Sequence, residues 1–257
     1  MDAFVDLLIG EAGLQLFDFM LLCGVSFLAS FLTAAMGMGG GVLMLATMAL
    51  ILPPTVLIPV HGVVQVGSNL GRAALMMRNI LTPIIPAFLI GTALGAALGA
   101  QVVIALPTAI LQAVLGCFII YATWAPKFKA SATDKKTFFG VGMFATFATM
   151  FVGATGPLVA PFVGAACNER QQVVATHAAL MVIQHGLKII TFGVLGFTFG
   201  PYIPLLAGLL VCGFAGTWCG KHVLVRLPEH IFRLGFKTLL SLLALRLLYS
   251  AAQAQFG

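Results

Sequence analysis

The sequence predicts an all-α polytopic integral membrane protein built from two inverted repeats of about five segments each. Three observations predict it. Of 257 residues, 61% are hydrophobic and only 8% are charged, against about 25% charged in an ordinary soluble domain. Several apolar runs reach roughly 20 residues, the length a helix needs to cross a bilayer. The chain also punctuates itself twice in the same order. Gly37, Gly40, His61, Asn69 and Arg72 are answered 116 positions later by Gly153, Gly156, His177, His185 and Lys188. A duplicated plan with interrupted helices is the pattern of secondary transporters.

In chain order, the first apolar segment covers residues 16–35 and meets Gly37, Gly39, Gly40 and Gly41, after which a shorter piece covers 42–52. As one helix the two would run about 54 Å, too long for a single crossing of about 30 Å, so the chain breaks at the glycines. Pro53 and Pro54 end the short piece, because proline cannot continue the helical ladder. Long helices follow at 55–77, 82–103 and 108–124. Residues 125–136 are a polar connection with Lys127, Lys129, Lys135 and Lys136.

The second half repeats this with an apolar run at 138–152 and a break at Gly153, Thr155, Gly156 and Pro157. A short piece at 158–167 and long helices at 171–197, 202–221 and 229–249 complete it. Residues 1–124 thus form a first transmembrane repeat, 125–136 a basic cytoplasmic linker and 137–257 a second repeat. Gly95 and Gly99 are answered by Gly216 and Gly220, small faces on which helices approach closely in lipid.

Five segments per half invert the second copy. The loops of Arg78, Arg170 and Lys221–Arg226 then share one side with the lysine linker, and both termini fall on the other. That is the positive-inside arrangement. Eight full spans, the alternative, would put the Arg78 and Lys221–Arg226 loops opposite the linker. Asp2, Asp6 and Glu11 replace the basic start of a secretory signal. The five cysteines are scattered and read as packing residues, without metal spacing.

The functional residues lie on two polar stripes. Helical residues spaced by four, seven, eight or eleven share a face. His61, Gln65, Ser68, Asn69 and Arg72 form one stripe, and His177, Gln184, His185 and Lys188 the other. A cation in hydrocarbon is costly unless it faces water, a partner or the bundle interior. The breaks add bare N–H groups and the positive ends of helix dipoles, which suit an anion. The expected substrate-binding set is therefore Gly39, Gly40, Gly41, His61, Gln65, Asn69, Arg72, Thr155, Gly156, His177, Gln184, His185 and Lys188.

The seven carboxylates, Asp2, Asp6, Glu11, Asp18, Asp134, Glu169 and Glu229, sit in tails, loops or helix ends. A cation carrier or carboxylate-based proton pump would want one in mid-membrane. The expected substrate is a small anion, and His61, His177 and His185 are the groups to carry a coupled proton. No metalloprotease motif, nucleophile elbow or nucleotide-binding loop occurs, so neither an enzyme nor ATP use by this chain is expected. No cofactor, metal or nucleic-acid partner is expected. The net charge of +6 is read through its placement at the membrane faces. The bilayer is the expected surrounding, and a homodimer is allowed.

The run Phe31-Leu-Thr-Ala-Ala-Met-Gly-Met-Gly-Gly-Gly41, the Gly153–Pro157 counterpart and the second such half resemble the TauE/SafE family of sulfite and organosulfur-anion exporters. The resemblance covers about residues 16–249. It implies a permease of the bacterial inner membrane that expels sulfite, sulfoacetate or a related anion. The family's glycine breaks carry over to Gly37–Gly41 and Gly153–Pro157. Alternatives in other classes are an anion channel, a permease for another small anion, and an intramembrane enzyme or assembly factor.

Overall fold

The structure, a computed structural model, describes residues 13–36, 39–124, 130, 133–223 and 229–256. Asp2, Asp6, Glu11, Gly37, Lys127, Lys129 and Arg226, used above, lie outside the described residues. Ten α-helices run through the rest: α1 Leu16–Met36, α2 Gly40–Met48, α3 Pro54–Leu75, α4 Ile85–Val103, α5 Thr108–Trp124, α6 Lys135–Val152, α7 Gly156–Ala166, α8 Arg170–Val194, α9 Ile203–Val223 and α10 Glu229–Phe256.

Their starts follow local chemistry. Prolines stand in the first turns of α3, α4 and α7, where the missing N–H would be unpaired anyway. Asp134 caps α6 by accepting from the Thr137 N–H at 2.9 Å. These bonds, the Thr137 hydroxyl first, hold the Asp134 carboxyl below its ordinary pKa.

Four stretches, Leu16–Ala34, Thr82–Val103, Arg170–Val194 and Gly200–Gly220, are long and apolar enough to cross a membrane. The protein is a multi-pass membrane protein, and its surface has the matching inversion. Phe17, Leu98, Phe144, Ile190, Phe214 and Leu242 are exposed, while Ser26, His61, Asn69, Thr155, Gln184 and Lys188 are buried. A soluble domain would leave so much apolar surface covered. Helices α2 and α7 have 9 and 11 residues, about 14 and 16 Å of helix, half of a hydrocarbon core of about 30 Å.

The main packings are α1 on α9, α4 on α6, α3 on α8 and α5 on α10. Each joins a helix before the linker to one after it. In two of them glycines permit backbone contact. Gly91 and Gly95 of α4 lie against the Phe139 and Met143 carbonyls of α6, and Gly216 and Gly220 of α9 against those of Phe27 and Phe31 of α1. A Cβ at any of the four would run into main chain. Helices α3 and α8 pack antiparallel. The Leu81 N–H, just past α3, donates to Thr176 Oγ1 near the start of α8 at 2.9 Å. Gly62, in the first half of α3, rests on Lys188 near the end of α8.

Candidate functional site

The two glycine-rich breaks sit beside the α3–α8 pair. Gly39 precedes α2 with φ 105°, and Gly153 follows α6 with φ 75°. Both are left-handed conformations that a side chain would strain. These turns let a full-length helix stop inside the bundle and a short one begin. They therefore leave backbone groups without helical partners.

Polar side chains of α3 and α8 reach the backbone at both breaks: at the Gly153 carbonyl that ends α6, and at first-turn carbonyls of the two short helices. His177 Nε2 lies 3.1 Å from the Gly156 carbonyl, at the first residue of α7. His61 Nε2 lies 3.0 Å from the Gly41 carbonyl in the first turn of α2, and its Nδ1 lies 3.2 Å from the Gly153 carbonyl. Each half therefore has a histidine from its long helix on the start of its short one. Gln65 Nε2 is 3.0 Å from His61 Nε2, so a neutral ring either donates from Nδ1 to Gly153 and accepts from Gln65, or donates from Nε2 to Gly41, but not both. Asn69 donates to the Gln65 carbonyl at 2.8 Å and accepts from Arg72 Nη2 at 2.9 Å. Gln184 donates to Thr155 Oγ1 at 2.8 Å, and Thr155 donates to the Ala145 carbonyl at 3.0 Å.

A cavity of about 220 Å³ opens between these elements. Arg72, Gln65 and Asn69 line it from α3, Arg170, His177 and His185 from α8, and Gly39, Gly41, Gly156 and Pro157 from the starts of the short helices. Among the described residues, no aspartate or glutamate lines it. The guanidinium of Arg72 is held on its own helix by Asn69 and by the Ser68 carbonyl, not by an acid. Guanidinium groups and helix N-termini both favour an anion, and low dielectric strengthens the effect. Among the described residues, no group of three His, Cys, Asp or Glu is placed to hold a metal ion.

Of the residues expected from sequence, the cavity brings together Gly39, Gly41, Gln65, Asn69, Arg72, Gly156, His177 and His185. His61, Thr155, Gln184 and Lys188 are fully buried behind its wall. Lys188 Nζ donates to the Gly153 carbonyl at 2.9 Å, at the negative end of α6. Gly40 is not a lining residue. A Cβ there would strike the Ala29 carbonyl and Thr33 Oγ1 of α1, so this glycine seats α2 on α1. Arg170 lines the cavity but was expected only to mark the cytoplasmic face. The available signal was its position seven residues before His177, two helical turns along the same stripe.

An apolar exterior, ten helices and an acid-free cavity define a polytopic membrane protein with a cationic internal site. A protein-family comparison is specific about which one. The model described as "Sulfite exporter TauE/SafE" matches residues 22–247, and the chain belongs to that family. No match is found among curated proteins or among solved structures.

Proposed function

We infer that the protein is a secondary transporter that exports a small sulfur oxyanion, sulfite or an organosulfonate such as sulfoacetate, across the bacterial cell membrane by alternating access. The substrate leaves chemically unchanged. The observation that carries this reading is the cavity lining, with two arginines, two histidines, two short-helix starts and no carboxylate. Family membership supports the same substrate class.

The helix pairing supports inverted halves. If the five helices before the linker correspond in order to the five after it, α1 pairs with the counterpart of α4, and α4 with the counterpart of α1. Helices α3 and α5 each pair with their own counterparts. A two-fold axis relating the halves would produce this pattern, and the antiparallel packing of the counterparts α3 and α8 favours an axis in the membrane plane. The cavity stops at His185 without reaching Lys188, which favours a carrier over an open pore. A negative-inside potential drives an anion outward by about 2.3 kcal/mol per charge per 100 mV, and protons on His61, His177 or His185 are the alternative coupling.

The test is sulfite flux into liposomes holding the purified protein, with Arg72→Ala and Lys188→Ala alongside. Saturable flux that both substitutions slow is expected. No flux from well-folded protein removes the reading.

A further inference from the structure

Resting on the transporter reading, we propose that the far end of the α3–α8 pair is a second anion site, anchored by Lys188, which the transport cycle opens to the membrane face opposite the present cavity. Three observations carry it.

The first is the state of Lys188. It is fully buried, and its ammonium bonds to one carbonyl, Gly153, which His61 Nδ1 also approaches. The sequence places no carboxylate in α3, α6, α7 or α8. A buried charge without an opposite charge is strongly disfavoured unless function requires it.

The second is a set of unpartnered polar atoms on α6 and α8, the helices that Lys188 joins through its bond to the Gly153 carbonyl. Gln184 Oε1, His185 Nδ1 and the hydroxyls of Thr146 and Thr149 are buried without partners. Gln184 and His185 precede Lys188 by four and three residues, on its face of α8, and His185, which also lines the present cavity, stands between the two sites. Thr149 and Thr146 precede Gly153 by one and two turns of α6. Buried polar atoms in folded proteins are normally paired. The hydroxyl and imidazole donors on these two helices, with the Lys188 amine, suit the oxygens of a sulfite or sulfonate group, and the Gln184 acceptor suits a protonated oxygen.

The third is position. Arg170 marks the cavity mouth at the start of α8, and Lys188 lies 18 residues on, about 27 Å along the helix. Only six residues of α8 remain beyond it. Arg72, its counterpart in the first half, is at the open end. The two cations thus serve opposite faces, and the Lys188–Gly153 bond is the contact that a transported anion replaces.

The test labels Lys188→Cys and Arg72→Cys with an impermeant anionic methanethiosulfonate, in right-side-out and inside-out vesicles. Mass spectrometry reads modification at positions 188 and 72. Gln184→Cys, which keeps the amine, reports the same chamber if Lys188→Cys does not fold. Positions 188 and 184 are expected to react at least tenfold faster from the external face, position 72 at least tenfold faster from the linker face, and saturating sulfoacetate, which unlike sulfite does not consume the reagent, to slow both. Labelling of both ends from one face overturns the proposal. So does labelling of 72 alone while the wild-type protein carries sulfite. Absence of wild-type flux in the same vesicles instead overturns the transporter reading beneath it.

Discussion

Arg72 lies eleven residues after His61 and lines an open cavity, whereas Lys188 lies eleven residues after His177 and is wholly buried against the Gly153 carbonyl. The spacing, the helix face and the sign of charge are the same. What differs is the end of the antiparallel pair on which each cation stands. At the Arg72 end the helices part around the starts of α2 and α7. At the Lys188 end, Gly62 closes on the lysine stem so tightly that a Cβ there would lie 2.8 Å from Lys188 Cε. A polar stripe therefore fixes which side of a helix serves the site, and packing fixes which part of it is open.

The largest effect is expected from Lys188→Met, which keeps the volume and removes the buried charge. If Lys188 serves transport and not stability, sulfite flux falls by roughly 100-fold, the loss of a charge-assisted hydrogen bond. The thermal midpoint stays level or rises, because an uncompensated buried charge is gone. A lower midpoint with normal flux would make Lys188 a packing residue. Next comes Arg72→Ala, expected to cut flux roughly 10- to 100-fold with little change in thermal midpoint, since its bonds are within α3. Equal midpoint losses in both variants would erase the distinction between the two ends.

Arg170→Ala sharpens the open end. Arg170 is exposed at the cavity mouth, where water and salt screen it. A loss of about threefold is expected at low salt, from weakened attraction of the anion, and almost none in about 1 M salt. A loss that ignores salt would place Arg170 on the bound substrate. The smallest effect belongs to Asp134→Ala, outside the cavity lining, which leaves flux unchanged and slightly lowers the thermal midpoint. The Asp134 carboxyl titrates below its ordinary value. Its stabilisation is therefore present above the ordinary carboxylate range and lost as pH falls through the lowered value, and Asp134→Ala should flatten that loss in a pH series of melting curves.

Much of the architecture was legible because bilayer length and helix breakers are written locally. Gly39 to Gly41, Pro53 and Pro54, and Gly153 to Pro157 mark where α2 and α7 begin or where α2 ends. The 9- and 11-residue helices follow from those marks. The packing of α4 on α6 and α1 on α9 was not legible. Gly95 and Gly216 announced close approach but not toward which helix, because a single sequence carries no contact information. In the site, periodicity grouped Gln65, Asn69, Arg72, His177 and His185, which line one cavity. It could not rank depth, so Lys188, Gln184 and Thr155 were expected on the same surface that only their neighbours reach. Arg170 was missed for the opposite reason. A cation at a helix start near a loop satisfies the topology rule, and the rule says nothing about a cavity mouth.

The most direct test is equilibrium binding of radiolabelled sulfite to the purified protein in detergent, wild type against Arg72→Ala. Saturable binding that sulfonates compete away and that weakens at least tenfold in Arg72→Ala is expected. Equal affinity in the two proteins would contradict the assignment of the open cavity as the anion site.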